Sequence, residues 1–170
     1  MGKRLEGKVA VVTGGGTGIG RGIALMLGQE GACVVVGARR EEPLADTVRL
    51  IREDGGQASY LRTDVTIEAD CKALMDYAAS TYGHLDVLVS NAGVYPRRLL
   101  PDLTEEIWDQ TIDVNLKGQF FCCKHAIPHM IARGGGSIII IGSVHGYTGG
   151  SDVLAYSAAK GGLWTMTRNL

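Results

Sequence analysis

This sequence lacks an apolar run near the ~20 residues that span a bilayer as a helix, and neither charge sign dominates it. Its 17 Lys and Arg stand against 18 Asp and Glu, for a net charge of −1. The first absence removes a helical membrane protein. The second removes the basic footprint that nucleic acid or an anionic membrane surface requires. Cysteine is sparse and badly spaced for metal. Cys33, Cys71, Cys122 and Cys123 form no C-x-x-C pair, so buried free thiols are expected rather than a disulfide or a zinc site. Met1–Gly7 leads into a strand-length apolar run rather than a signal-peptide core and cleavage site, and the expectation is a soluble, cytoplasmic protein. No repeat, low-complexity segment or linker breaks the 170 residues, so residues 1–170 read as one domain able to bury roughly 70% of its unfolded surface.

Glycine, by contrast, is abundant and placed with purpose. Thr13-Gly-Gly-Gly-Thr-Gly-Ile-Gly20 follows the apolar run Lys8–Thr13 and precedes Arg21–Leu27, where Ile23 and Leu27 give an apolar helical face. Strand, glycine turn and helix are the context of a phosphate-binding loop. Gly14, Gly16, Gly18 and Gly20 permit a tight turn and close backbone approach to a pyrophosphate. The helix start, with Ile19, offers free N–H groups to the anion, and Thr17 adds a hydroxyl donor. A glycine-rich turn without a cofactor is the plainer reading.

Further along, apolar runs alternate with helical periodicity. Strands are expected at Cys33–Gly37, Ala58–Leu61, Val87–Ser90 and Ser137–Gly142. A helix opens at Pro43, with Leu44, Val48 and Ile51 on one face and Gly55-Gly56 as its stop. A second, capped by Thr66, buries Cys71, Leu74, Met75, Ala78 and Tyr82. A long stretch from Thr104 to about Arg133 should bend near Gly118 and end irregularly around Pro128. A last helix begins at about Ser151 or later and runs to the end. Alternation of this kind implies a parallel, doubly wound α/β sheet, because parallel neighbours need crossovers. The order 3-2-1-4-5 then puts a ligand above the carboxyl ends of strands one and four.

The spacing Gly14-x-x-x-Gly18-x-Gly20 departs from G-x-G-x-x-G. Taken with Tyr156-Ser-Ala-Ala-Lys160 downstream, it resembles the classical short-chain dehydrogenase/reductase family, whose dinucleotide-binding fold is the Rossmann type. The likeness covers nearly the whole chain. Tyr156 and Lys160, four apart, share a helix face. A free phenol has a pKa near 10, and a nearby ammonium favours its ionised form. The resemblance implies that Tyr156 is the acid/base of hydride transfer between a carbonyl and a secondary alcohol, and that Ser143 holds the substrate oxygen. Lys160 would bind the nicotinamide ribose, and Asn115 a water that continues the proton relay. It makes Asn91-Ala92-Gly93 the ribose approach after strand four and Asp64-Val65 the adenine contact. A helix N-terminal acid is the plainer role for Asp64.

Strand two ends at Val36-Gly37-Ala38-Arg39-Arg40. An acid about twenty positions past the turn selects NAD, whereas an arginine there suits a 2′-phosphate. By the resemblance, Ala38 stands in the acid's place, so Arg39 and Arg40 favour NADP(H) over NAD(H). The substrate is a small carbonyl or alcohol, and no metal, nucleic acid or membrane is implied. Tyr95, Pro96, Arg97, His145 and Tyr147 could line a substrate mouth. His125 and His129 are four apart but lack a third ligand, so packing or solvent is their expected place. Trp108, Phe120 and Phe121 suit helix packing or a subunit contact, and the family's habit implies a homo-oligomer, dimer or tetramer, if the chain is complete. The chain reads as cut short: four isoleucines at an open sheet edge invite cover, and the family continues with two strands and a substrate loop. The competing reading is therefore a nucleotide-binding fragment or scaffolding protein that does not turn over. An isomerase, epimerase or dehydratase is third.

Overall fold

The structure, a computed structural model, describes residues 3–170. Five strands, β1 (Val9–Thr13), β2 (Cys33–Ala38), β3 (Gln57–Arg62), β4 (Val87–Ser90) and β5 (Ser137–Ile140), pair in parallel in the order β3-β2-β1-β4-β5. That is the expected doubly wound α/β sheet. β1 is buried along its whole length. Its side chains alternate: Val9 and Val11 enter one core, Ala10 and Val12 the other. Covered on both faces, such a strand is apolar along Val9–Val12, with Thr13 the one buried polar residue at its end. β5, at the edge, has Ile138 and Ile140 half-buried and Ile139 46% exposed.

One core lies beneath α1 (Gly18–Gln29) and α2 (Glu41–Glu53), the other beneath α3 (Glu68–Tyr82) and α5 (Gly118–Arg133). The buried line of α1 is Gly20, Ala24 and Gly28, with Ile23 and Leu27 only half-buried. α1 therefore meets the sheet through small residues, closer than an Ile/Leu face would allow. α2 buries Leu44, Val48 and Ile51 as the periodicity predicts, together with Thr47. Cys71, Cys122 and Cys123 are buried free thiols and Cys33 is half-buried and free.

Four local expectations need correction. Thr66 does not cap α3, which begins at Glu68 after Ile67. The Thr66 N–H and hydroxyl both donate to Asp64 Oδ1 (3.0 and 2.8 Å), closing an Asx turn instead. Pro128 does not disrupt α5, which continues to Arg133 and ends on Gly134 at φ +92°. Pro128 and Lys124 face solvent, so the carbonyl that loses its donor is open to water. The loop after β5 contains a single turn, α6 (His145–Thr148), that periodicity could not reveal. α7 (Leu154–Thr167) stops before the last residue.

The long stretch from Thr104 is the most informative departure. Thr104 Oγ1 accepts the Ile107 N–H (3.4 Å) and caps α4 (Glu105–Ile112) as expected. Between α4 and α5 lies a π-helical segment, Asp113–Lys117. Where a bend is expected near Gly118, the helical ladder carries an inserted residue, and that segment holds Asn115.

Candidate active site

The sheet order reverses between β1 and β4, and their carboxyl ends are tied there by one buried threonine. Thr13 Oγ1 accepts the Asn91 and Ala92 N–H groups (2.9 and 3.0 Å), and its carbonyl accepts from Asn91 Nδ2 (2.9 Å). The glycine turn fits into this junction. Gly14 takes φ +67° and donates its N–H to the Gly37 carbonyl (2.7 Å). A Cβ on Gly20 would stand 2.3 Å from the Gly14 carbonyl oxygen and 2.6 Å from Asn91 Nδ2. Only glycine lets the first turn of α1 rest there. Thr17 is the N-cap, but no side chain caps the helix. The N–H groups of Gly18, Ile19 and Gly20 meet no acceptor among the described residues. Unpartnered amides at the positive end of a helix dipole are an anion site.

Two cavities meet at Gly14, Ala92, Gly93 and Val94. One, of about 440 Å³, reaches Ala38, Arg39, Arg40, Thr63, Asp64 and Val65. The other, of about 320 Å³, reaches Thr17, Ile19, Asn91, Asn115, Tyr156 and Lys160. Together they give a cationic end, an amide-lined middle and a Tyr/Lys end above the strand crossover. Those dimensions and groups suit a dinucleotide. Arg39 and Arg40 are exposed and make no ion pair among the described residues. Glu41 and Glu42 occupy the first turn of α2, where they serve its dipole. Asp64 lines the first cavity with Oδ1 already committed to Thr66. Gly16 is buried and not among the walls of either cavity, and a Cβ there would lie 3.1 Å from the Pro43 side chain.

Tyr156 and Lys160 stand one turn apart on α7. Lys160 is 3% exposed, its Nζ donates to the Ile141 carbonyl (2.6 Å), and it lies 5.7 Å from the centre of the Tyr156 ring. Burial pulls its amine down to about 8. Asn115 is fully buried in the π segment. Its Nδ2 donates to the carbonyls of Val94 and Thr111 (3.0 and 2.9 Å), and its Oδ1 accepts the Val94 N–H (3.1 Å). With both hydrogens used, one Oδ1 lone pair is left for a water. What the side chain visibly does is hold Gly93-Val94 against the crevice. Ser143 lies on the loop leaving β5, half-buried, its Oγ accepting the His145 N–H (3.2 Å). It is the one expected catalytic residue not among the crevice walls.

Several wall residues escaped the sequence reading. Thr63, Val94 and Ile141 line the cavities, and each follows a strand's carboxyl end, which is the signal that could have found them. Tyr95 and His145 lie nearer to the chemistry than a general substrate mouth suggests. Tyr95 meets the Tyr156 ring edge-on, with centroids 4.7 Å apart. His125 and His129 instead bridge α5 to α3, at Glu68 (3.0 Å) and Asp76 (2.9 Å). No cluster of three ligating side chains occurs among the described residues. Phe121 packs on the core, while Trp108 and Phe120 are 36% and 47% exposed. No described helix is long and apolar enough to cross a membrane.

The family model described as short chain dehydrogenase matches residues 8–170. The chain belongs to the short-chain dehydrogenase family. Among its relatives in that family, the cis-4-hydroxycyclohexanecarboxylate dehydrogenase of Sinomonas cyclohexanicum is 43% identical over 99% of this chain and 68% of the relative. The 2-dehydro-3-deoxy-D-gluconate 5-dehydrogenase of Escherichia coli K12 is 41% identical over 96% of this chain and 64% of its own. A putative short-chain alcohol dehydrogenase from Sinorhizobium meliloti 1021 superposes with a TM-score of 0.95 at 40% identity, covering 100% of this chain and 68% of that one. An NAD+-bound xylitol dehydrogenase does so with a TM-score of 0.95 at 29% identity, covering 98% and 65%. The chain spans about two thirds of the length of these relatives.

Proposed function

We propose that this chain carries the cofactor site and proton-transfer groups of an NADP(H)-dependent oxidoreductase that interconverts a carbonyl and a secondary alcohol. The observation that carries this reading is the shared wall: Tyr156 and the buried Lys160 face the same crevice as the glycine turn and its free amides. A nicotinamide dinucleotide bound there supplies or accepts the hydride. The amides of Gly18, Ile19 and Gly20, with the Thr17 hydroxyl, hold the pyrophosphate. Asn91, Ala92 and Gly93 keep the wall low enough for a ribose to approach.

Arg39 and Arg40, unpaired at the far end, receive a 2′-phosphate, and no acid stands at Ala38 to reject it. Asp64 and Val65 border the adenine. Tyr156 donates a proton to the carbonyl oxygen during reduction and takes it back during oxidation. Lys160 keeps a positive charge beside that ring and reaches the ribose hydroxyls. Ser143 offers its hydroxyl hydrogen to the substrate oxygen. Asn115 positions Val94 and has one lone pair for a relay water.

The test is to mix the protein with NADPH and a panel of ketones and follow the loss of NADPH absorbance, with Tyr156→Phe alongside. The reading expects consumption that Tyr156→Phe lowers by about 10²–10⁴-fold, with NADPH affinity kept within about threefold. General acid–base groups are worth about 10²–10⁴. NADPH binding without consumption by the unaltered protein would favour a non-catalytic nucleotide binder. Retained turnover in Tyr156→Phe would refute the assignment of that residue.

A further inference from the structure

Two loops that leave the neighbouring strands β4 and β5 are stitched together beside Tyr156. The first leaves β4 and carries Tyr95, Arg97 and Arg98. The second comprises α6 and the residues leading into α7. Arg97 Nε donates to Asp152 Oδ2 (2.8 Å), the Arg98 N–H donates to the Asp152 carbonyl (2.7 Å), and Arg98 bridges to Val153 as an isolated parallel pair. At the heart of the stitch, the Tyr95 hydroxyl and His145 Nε2 lie 3.2 Å apart, and His145 Nδ1 lies 2.9 Å from the Gly149 carbonyl.

A carbonyl can only accept, so Nδ1 must carry the hydrogen. In the neutral ring Nε2 is then a bare acceptor, and the Tyr95 hydroxyl must donate to it. The chain of donors thus runs in one direction, from Tyr95 through His145 to Gly149. Both rings bear on Tyr156. Tyr95 meets it at 82° with centroids 4.7 Å apart, and His145 at 76° and 6.4 Å. With the Lys160 ammonium 5.7 Å from the ring centre, Tyr156 has neighbours on several sides while remaining half-open to the crevice.

We propose that Tyr95 and His145 form a hydrogen-bonded positioning pair that holds the ring of Tyr156 in its orientation toward the crevice. The proposal rests on the acid/base reading of Tyr156 and adds two residues to it. Tyr95 also borders the cavity that holds Tyr156, whereas His145 is not among its walls. Both act through Tyr156, by restricting its side-chain torsions and thereby keeping its hydroxyl where a substrate oxygen can meet it. Edge-to-face contact supplies the wall. The hydrogen bond to His145 keeps Tyr95 from swinging away, and the tie to Gly149 keeps His145 in turn. Small displacements of an acid/base group lower the rate steeply without altering what binds.

The test uses Tyr95→Phe, which keeps the ring and removes only the donor, His145→Leu, and the double variant. Nitrogen-15 NMR of cofactor-free protein at about pH 8, where an ordinary imidazole is neutral, should find His145 in the Nδ1–H tautomer. Its Nε2 signal should move in Tyr95→Phe. The Tyr156 ring signals, assigned with Tyr156→Phe, should shift and average in both single variants. In turnover, each single variant should lose about tenfold in kcat with KM and NADPH affinity unchanged, and the double variant should lose no more than the worse single. An Nε2–H tautomer at His145, or Tyr156 signals unmoved in both variants, would overturn the proposal whether or not the protein turns over. Additive losses, or losses in KM alone, would also overturn it. Absence of turnover in the unaltered protein would sink the oxidoreductase reading instead and leave the NMR result to decide this one.

Discussion

Lys160 should cost this protein stability at neutral pH, and the cost should vanish in alkali. The side chain is 3% exposed, and burial lowers its amine from 10.5 to about 8. Below about pH 8 the folded protein holds a buried charge. Between about pH 8 and 10.5 the folded state releases that proton while the unfolded chain keeps it, so stability rises with pH across this window. The difference corresponds to about 3 kcal/mol. Lys160→Met keeps the length and apolar stem and removes the titration. It also deprives the Ile141 carbonyl of its 2.6 Å donor, a pH-independent loss of about 1–2 kcal/mol.

The variant should therefore be more stable than the parent by about 1–2 kcal/mol at pH 7. It should be less stable by a similar amount at pH 10.5, with the two curves crossing near pH 9. Urea melts of both proteins at half-unit intervals give the difference. Parallel stability curves across pH 7–10.5 would refute the account, because they would mean Lys160 ionises as freely folded as unfolded. The same variant should be inactive. A residue that destabilises the fold yet is kept inside a crevice wall fits the exchange of stability for function found at working sites.

Other perturbations separate the parts of the crevice. Arg39→Ala should weaken NADPH binding by about 10–100-fold, the worth of a charge-assisted contact, and leave NADH binding within about twofold; equal losses measured by titration calorimetry would reject the 2′-phosphate assignment. Gly20→Ala puts a carbon 2.3 Å from the Gly14 carbonyl oxygen, so it should destabilise by about 1–3 kcal/mol and lower NADPH affinity at least about tenfold; a variant of unchanged melting temperature that still binds would show that α1 does not rest on the turn. Asn115→Ala removes three hydrogen bonds made by a buried side chain, worth about 3 kcal/mol in total, and should raise hydrogen exchange at Val94; unaltered exchange there would refute the positioning role.

Much of this architecture could be read because its causes are local. The apolar runs of β1 and β2, the glycine turn and the four-residue step from Tyr156 to Lys160 are each local in sequence, and periodicity and spacing report on local stretches. The parallel pairing followed from the need of parallel strands for crossovers, and the order from the doubly wound pattern. The errors fell where a competing partner decided the outcome. Thr66 has the chemistry of a cap, but Asp64 captures it two residues earlier. Pro128 has the chemistry of a breaker, but it lies on an exposed face where the carbonyl left without a donor is open to solvent. Ile23 and Leu27 have the pattern of a buried stripe, but α1 approaches the sheet closely enough that Gly20, Ala24 and Gly28 take that place.

The catalytic assignments divide along the same line. Asn115 was legible as a residue, from its surroundings in Ile112–Leu116, yet what it does depends on an inserted residue in a helix that no period of 3.6 predicts. The π segment turns its amide toward Val94, twenty-one positions earlier, where it can satisfy both backbone groups of that residue at once. The pairing of Tyr95 with His145 joins residues fifty positions apart, and neither has an unusual neighbour in sequence to announce it. A phenol and an ammonium one helical turn apart can be found by inspection. The groups that aim them come from other strands and become visible only when the carboxyl ends of β4 and β5 are brought side by side.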